Sequence, residues 1–356
     1  MASYRVLMWV FAFKTHKQGR AMNLITDWLI HIWDLLQVRG WWFAVGLVFC
    51  VIAGFLPLKV EKMQKNSIPF GAVLLGALLP VCNFAVIPLA VALRMRGLRS
   101  GVVFSFLSAA VLLNPSGVLS AWAYMGPKLT IAWVFIALLV SLAVGMTEAR
   151  LLPPADHEQQ ETMVFLHTFL QSIPELALWL VLGVLAQALL QVMMPKDLWQ
   201  TLLLNPAGAS FGDAAAAALA RHVCIPDDAA LAASLTATGF PPGWAVLLLT
   251  FGICTNLPEL FVLYGMTGKR PAALYTLVTI CVSMAAGILT QLLIGPGFVP
   301  QFSLADAEPL IRIANLLTIR TWMHARGACT AALLLCACCG LWRRKPMKYF
   351  KPENKG

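Results

Sequence analysis

Seven stretches of this chain, 41–58, 69–93, 101–125, 128–147, 176–194, 243–265 and 272–294, stay apolar for about the length that a bilayer demands. A hydrocarbon core about 30 Å thick takes roughly 20 apolar residues of helix. Backbone inside it must satisfy its own hydrogen bonds, which leaves helices as the spanning form for runs of this length. Only 12% of the residues are charged, against about 25% in an ordinary soluble domain. The expected fold is an all-α polytopic membrane protein. The formal net charge of +10 does not point to nucleic acid, because Lys and Arg collect in short connections at 14–20, 59–65, 94–99 and 343–348. Basic loops of that kind stay on the cytoplasmic side, so the chain is expected in the cell (inner or cytoplasmic) membrane.

Sliding the sequence by 142 residues lays 82–145 on 224–287 without a gap. Cys82 falls on Cys224, Gly97 on Gly239, Gly101 on Gly243, Asn114 on Asn256, Gly126 on Gly268 and Gly145 on Gly287. Four of the five glycines in the first window meet a glycine, which marks a duplication. Each copy reads as a spanning helix, a hydrophobic stretch broken in its middle, and two more spanning helices. In the first copy the break Pro80-Val81-Cys82-Asn83 separates two arms, each about half a bilayer long at about 1.5 Å per residue. One kinked crossing and a re-entrant hairpin both fit this pattern. Charge favours the hairpin, which leaves 59–65 and 94–99 on one face. With three crossings and one hairpin per copy, the second copy is inverted. In agreement, basic 94–99 is matched by uncharged 236–241, while Gly126-Pro127-Lys128 is matched by Gly268-Lys269-Arg270.

The domain plan is an N-terminal segment with an amphipathic helix (1–40), a first repeat (41–147), a linker with an amphipathic helix (148–175), a second repeat (176–294) and a C-terminal part (295–356). The last part holds an amphipathic helix, a spanning helix and a basic tail. Residues 22–37 either lie at the interface or cross.

Interrupted helices in inverted repeats place a binding site near the midplane, and broken backbone there lines a cavity or is buried in protein. The breaks are Pro80 to Asn83, Asn114-Pro115, His222 to Asp228 and Asn256-Leu257-Pro258. Proline frees a carbonyl, and the neighbouring asparagine adds an amide, so Asn83, Asn114, Pro115, Asn256 and Pro258 are candidate substrate residues. Cys82 and Cys224 open second half-helices, where the helix dipole favours a thiolate, and Cys254 stands near Asn256. Thiolates select soft ions and metalloids; packed small residues are the plain alternative. Asp227 and Asp228, with His222 beside them, are candidates for ion coupling, because carboxylates within a membrane mark ion pathways. A solvated vestibule would also accommodate them. Asp213 is a possible partner for these acids. Glu175 and Glu259, next to prolines, are expected only to complement helix dipoles. No cofactor is called for, no metal is assigned, and the oligomeric state is left open. The expected partners are a small solute or ion and the lipid bilayer.

The run Leu79-Pro80-Val81-Cys82-Asn83-Phe84-Ala85-Val86-Ile87-Pro88-Leu89-Ala90, followed by Arg94 to Gly97, Gly101 and Asn114-Pro115, resembles the signature of the predicted-permease family that includes the trivalent organoarsenical efflux permeases. Cys224 to Gly239, Gly243 and Thr255-Asn256-Leu257-Pro258 resemble that family's second repeat. The resemblance spans roughly 40–295 and implies a permease for thiophilic solutes. It departs from the family where paired thiols are usual, since Phe84 follows Cys82-Asn83 and Ile225-Pro226-Asp227-Asp228 follows Cys224. A cationic or proton-coupled substrate therefore stands beside a metalloid or organometalloid.

A secondary transporter or efflux protein is the leading function, with a channel or a membrane subunit of a larger assembly as the alternative. An intramembrane enzyme is disfavoured, because His157-Glu158-Gln159-Gln160 is followed by Glu161 rather than the second histidine of H-E-x-x-H.

Overall fold

A computed structural model describes residues 24–55, 69–151, 162–194, 210–220, 225–295, 298, 304–317 and 323–342. Among the described residues there are thirteen helices and no strand. The first five are α1 (Leu24–Phe55), α2 (Phe70–Ala77), α3 (Asn83–Met95), α4 (Ser100–Leu112) and α5 (Pro115–Leu151). Then come α6 (Thr162–Met193), α7 (Phe211–Ala220), α8 (Ile225–Ala237), α9 (Pro242–Cys254), α10 (Leu257–Thr267) and α11 (Lys269–Ile294). The last two are α12 (Leu304–Leu317) and α13 (Met323–Trp342). Five helices are long and apolar enough to cross a membrane, and the α9–α10 pair, bent by 43°, makes a sixth.

The expected short helix at 22–37 runs without interruption into 41–58 as the single helix α1. Gly40, which reads as a boundary, is instead a packing position: a Cβ there would lie 3.0 Å from the Thr330 backbone on α13. Likewise 163–172 and 176–194 are one helix, α6, with Pro174 inside it. Glu175 therefore lies within a helix and not at a helix start. The apolar stretch 101–125 is divided at Asn114, between α4 and the first arm of α5.

At 8 and 13 residues, α2 and α3 rise about 12 and 20 Å, too little to span alone. The start of α2 lies near the end of α3. Ala72 and Leu75 of α2 border the same small cavity as Leu93 of α3 and Leu98, Val102 and Val103 at the start of α4. Further along, Gly76 meets Phe106, Ala109 and Ala110, so α2 runs parallel to α4 while α3 returns. In the second half, Phe211 at the start of α7 stacks edge-on against Trp244 at the start of α9, 5.4 Å between centroids. Helix α7 opens on a capping box: the Ser210 N–H donates to Asp213 Oδ2 at 2.8 Å and the Asp213 N–H to Ser210 Oγ at 3.2 Å. That bond occupies Asp213 at the helix entrance.

Glycines explain how the helices approach. Gly97, Gly126, Gly239 and Gly268 have φ of 90°, 76°, 104° and 91°, conformations that side chains resist. At Gly126 the chain reverses inside α5, so that Val118 and Trp122 face Ile131, Val134 and Leu138 across a cleft. Gly101 and Gly145 bring α4 and α5 together, and Gly243 and Gly287 do the same for α9 and α11. A Cβ on Gly145 would lie 2.7 Å from the Gly101 carbonyl oxygen, and one on Gly287 3.0 Å from that of Gly243. Small residues at such crossings are how apolar helices associate in lipid.

Candidate functional site

Three of the helix breaks meet in the middle of the bundle. The Asn114 side-chain amide donates to the Val81 carbonyl in the break before α3. Its Oδ1 accepts from the Ser116 N–H at 3.0 Å and the Ser116 hydroxyl at 2.8 Å, which fixes the start of α5 next to Pro115. Asn83 donates to the Ile253 carbonyl at 3.4 Å, and Asn256 donates to the same carbonyl at 2.9 Å. Carbonyls released by the breaks are thus taken up by asparagine amides, which answers the demand that buried backbone be satisfied. Pro258 begins α10 and is buried, its backbone held against Gly183 of α6.

Around this knot lie the thiols. Cys82 is the N-cap of α3, in extended conformation with φ −74° and ψ 156°, and Cys254 is the last residue of α9. Cys82 is 8% exposed and Cys254, Asn256 and Glu259 are 0, 1 and 0% exposed. The centre is occluded in this conformation. Tyr275 of α11 donates its hydroxyl to Glu259 Oε1 at 3.3 Å and is in hydrogen-bonding contact with Cys254 and Ser108. Glu259 also interacts electrostatically with Cys82 and Cys254. Phe104 of α4 packs on Tyr275, 5.7 Å between ring centroids.

Glu259 therefore does more than complement the dipole of α10. It stands in the first turn of that helix, but it is fully buried and bonded to a phenol, and among the described residues its Oε2 has no hydrogen-bond partner. The sequence reading missed Arg39 as well. Midway along α1, it is fully buried, interacts with Cys82, and lies 4.8 Å from the centroid of the Phe84 ring. Tyr275 and Ser108 gave no sequence signal, because an aromatic or a serine in an apolar helix is ordinary. Arg39 gave none while the chain was read as breaking at Gly40; inside one spanning helix, an arginine is costly and functional by default.

Of the predicted site residues, Cys82, Asn83, Asn114, Cys254 and Asn256 come together, with Pro115 and Pro258 beside them. Asp228 is buried on α8, a helix that packs on α5 and α9. Asp227 belongs to the first turn of α8, but its side chain is outside what the structure describes, as are His222 and Cys224. Among the described residues no three His, Cys, Asp or Glu side chains are grouped closely enough to hold a metal ion.

A second charged pair lies near the α3–α4 turn. Arg94 donates to the Leu98 carbonyl at 2.8 Å and interacts electrostatically with Glu148 near the end of α5, which is 1% exposed. The positions equivalent by the 142-residue shift are Thr236 and Thr290, whose hydroxyls bond to carbonyls of their own helices, at 2.6 and 2.8 Å.

A buried polar centre built from broken helices lies inside a bundle with five or six candidate spans, and comparison with known proteins points to a membrane permease. The chain is 23% identical over 271 residues to a protein described as UPF0718 protein YcgR from Bacillus subtilis (strain 168), a match covering 69% of this chain and 91% of that protein. No solved structure matches significantly. A family model described as a predicted permease matches residues 57–292, which include every break in the knot, and the chain belongs to this ArsP-type predicted permease family.

Proposed function

We propose that the protein is a secondary transporter that moves a small thiophilic solute, a soft metal ion, metalloid or organometalloid, out of the cell across the cytoplasmic membrane. One observation carries the reading: Cys82 and Cys254, from different halves of the chain, stand at helix breaks tied together by Asn83, Asn114 and Asn256. Soft ligands beside freed backbone suit a thiophilic guest. The two halves are read as inverted repeats, each with a re-entrant hairpin, α2–α3 and α7–α8. The shared roles of Gly97 and Gly239, of Gly126 and Gly268, and of the pairs Gly101–Gly145 and Gly243–Gly287 support that reading. An occluded centre favours alternating access over the open pathway of a channel. Asp227, Asp228 and His222 are the proposed coupling residues, now joined by Glu259, since buried carboxylates within the bilayer serve proton and ion pathways.

The test is uptake of phenylarsine oxide and antimonite into inverted membrane vesicles. Cys82→Ser is expected to slow uptake by at least about tenfold, the equivalent of about 1.4 kcal/mol, while replacement of exposed Cys338 changes nothing. Full uptake by the Cys82→Ser/Cys254→Ser variant would remove the thiophilic substrate from consideration.

A further inference from the structure

We infer that the break before α3 is an anion site, where Arg39 receives a negatively charged oxygen group of the permeant beside the Cys82 thiol. The inference rests on the permeation site proposed above and adds the charge of what enters it. Arg39 lies midway along a 32-residue helix and has no exposed surface. None of its three guanidinium nitrogens has a hydrogen-bond partner. Burying a charge without hydrogen bonds costs more than a contact like that with the Phe84 ring returns. A guanidinium is a planar fork of five donors matched to oxyanions. Here the fork is empty.

The group it faces adds to the positive potential. Cys82 caps α3 without a side-chain hydrogen bond to the helix end. The first helical bonds run from the Ala85 and Val86 N–H groups to the Cys82 carbonyl, so the positive end of the α3 dipole lies at this break. The carboxylate within electrostatic reach of Cys82 is Glu259, and it is engaged by Tyr275. The break thus sets a positive group, Arg39, beside the thiol. A permeant that combines a soft centre with a carboxylate, sulfonate or similar group is oriented by that charge, whereas a cation is repelled from it.

The test uses the full chain in detergent with Cys82 as its only cysteine. It is treated with two methanethiosulfonates of similar size, the sulfonatoethyl and the trimethylammonioethyl reagents. Rates are divided by those for a protein whose only cysteine is exposed Cys338. On this scale the anionic reagent is expected to modify Cys82 at least about tenfold faster, the lower end of electrostatic enrichment in a charged cleft. The preference should vanish in Arg39→Gln and persist in Arg39→Lys. An unchanged preference in Arg39→Gln, or faster reaction of the cationic reagent in the parent, overturns the inference, and so does failure of both reagents to reach Cys82.

A second measurement keeps Arg39 in place in case its variants do not fold. Benzoate is expected to slow alkylation of Cys82 by neutral N-ethylmaleimide, and benzylammonium is not; equal effects of the two overturn the inference. Neither measurement requires transport, so a failed uptake assay condemns the thiophilic carrier without touching the anion site.

Discussion

Asn83 and Asn256 donate their side-chain amides to one acceptor, the Ile253 carbonyl, at 3.4 and 2.9 Å. Asn256 closes the break within its own half, and Asn83 reaches that carbonyl from the other half. Side-chain hydrogen bonds in membrane proteins contribute about 0.6 kcal/mol on average and about 1.7 at most. Asn256→Leu is therefore expected to lower the thermal midpoint in detergent more than Asn83→Leu, because it loses the shorter bond and the end of its own helix. Asn83→Leu is expected to change transport rate more than stability. Thermal melts alongside vesicle uptake read both, and a reversed order would deny the distinction.

The two glycines of the α9–α11 crossing differ in tolerance. A Cβ on Gly287 would meet the Gly243 carbonyl at 3.0 Å and then only the Leu247 side chain at 3.4 Å, whereas one on Gly243 runs into the backbone of Gly287 and the Gln291 side chain. Overpacking costs about 1–3 kcal/mol where neighbours cannot yield. Gly243→Ala should destabilise by that amount and Gly287→Ala by much less, as read by the yield of monodisperse protein on gel filtration after mild heating.

Gly268 has open space around it and φ of 91°. Gly268→Ala is expected to cost about 1–3 kcal/mol through backbone strain alone, despite room for the methyl group. A melt indistinguishable from the parent's would show that the turn between α10 and α11 can relax.

Arg94 and Glu148 have Thr236 and Thr290 as their equivalents. Removing Arg94 leaves Glu148 buried without its counterpart, so Arg94→Thr should lose more stability than the Arg94→Thr/Glu148→Thr double variant. A double-mutant cycle is expected to give a coupling of about 0.5–3 kcal/mol. Additive losses would separate the two residues.

The breaks were legible because each is written in residues that cannot continue a helix comfortably: Pro80, Pro115 and Pro258, with Asn83, Asn114 and Asn256 ready to take the freed backbone groups. The glycines were legible because both copies keep them. Arg39 escaped for a physical reason. Asp27, His31, Asp34 and Gln37 precede it, and Gly40 follows, so the region reads as a polar helix stopping at a glycine. Tertiary packing against Thr330 reverses the meaning of that glycine, from a helix end to a helix contact. Glu259 escaped because its place three residues into α10 already explains an acid; only the approach of Tyr275 from another helix sets it apart. Such convergence has no trace in local sequence. Of the expected coupling groups Asp228 is buried, and the side chains of Asp227 and His222 fall outside the described residues.

The glycine crossings make α4 with α5, and α9 with α11, into two stiff blades whose backbones are too close to slide. Motion must then fall on the seam between them, where the Asn83 bond to Ile253, at 3.4 Å, already sits near the limit of hydrogen bonding. A shear of a few tenths of an ångström is enough to release it. On the transport reading proposed above, the Asn83 amide is the catch that lets go first, and the weakest bond of the knot sets the timing of release.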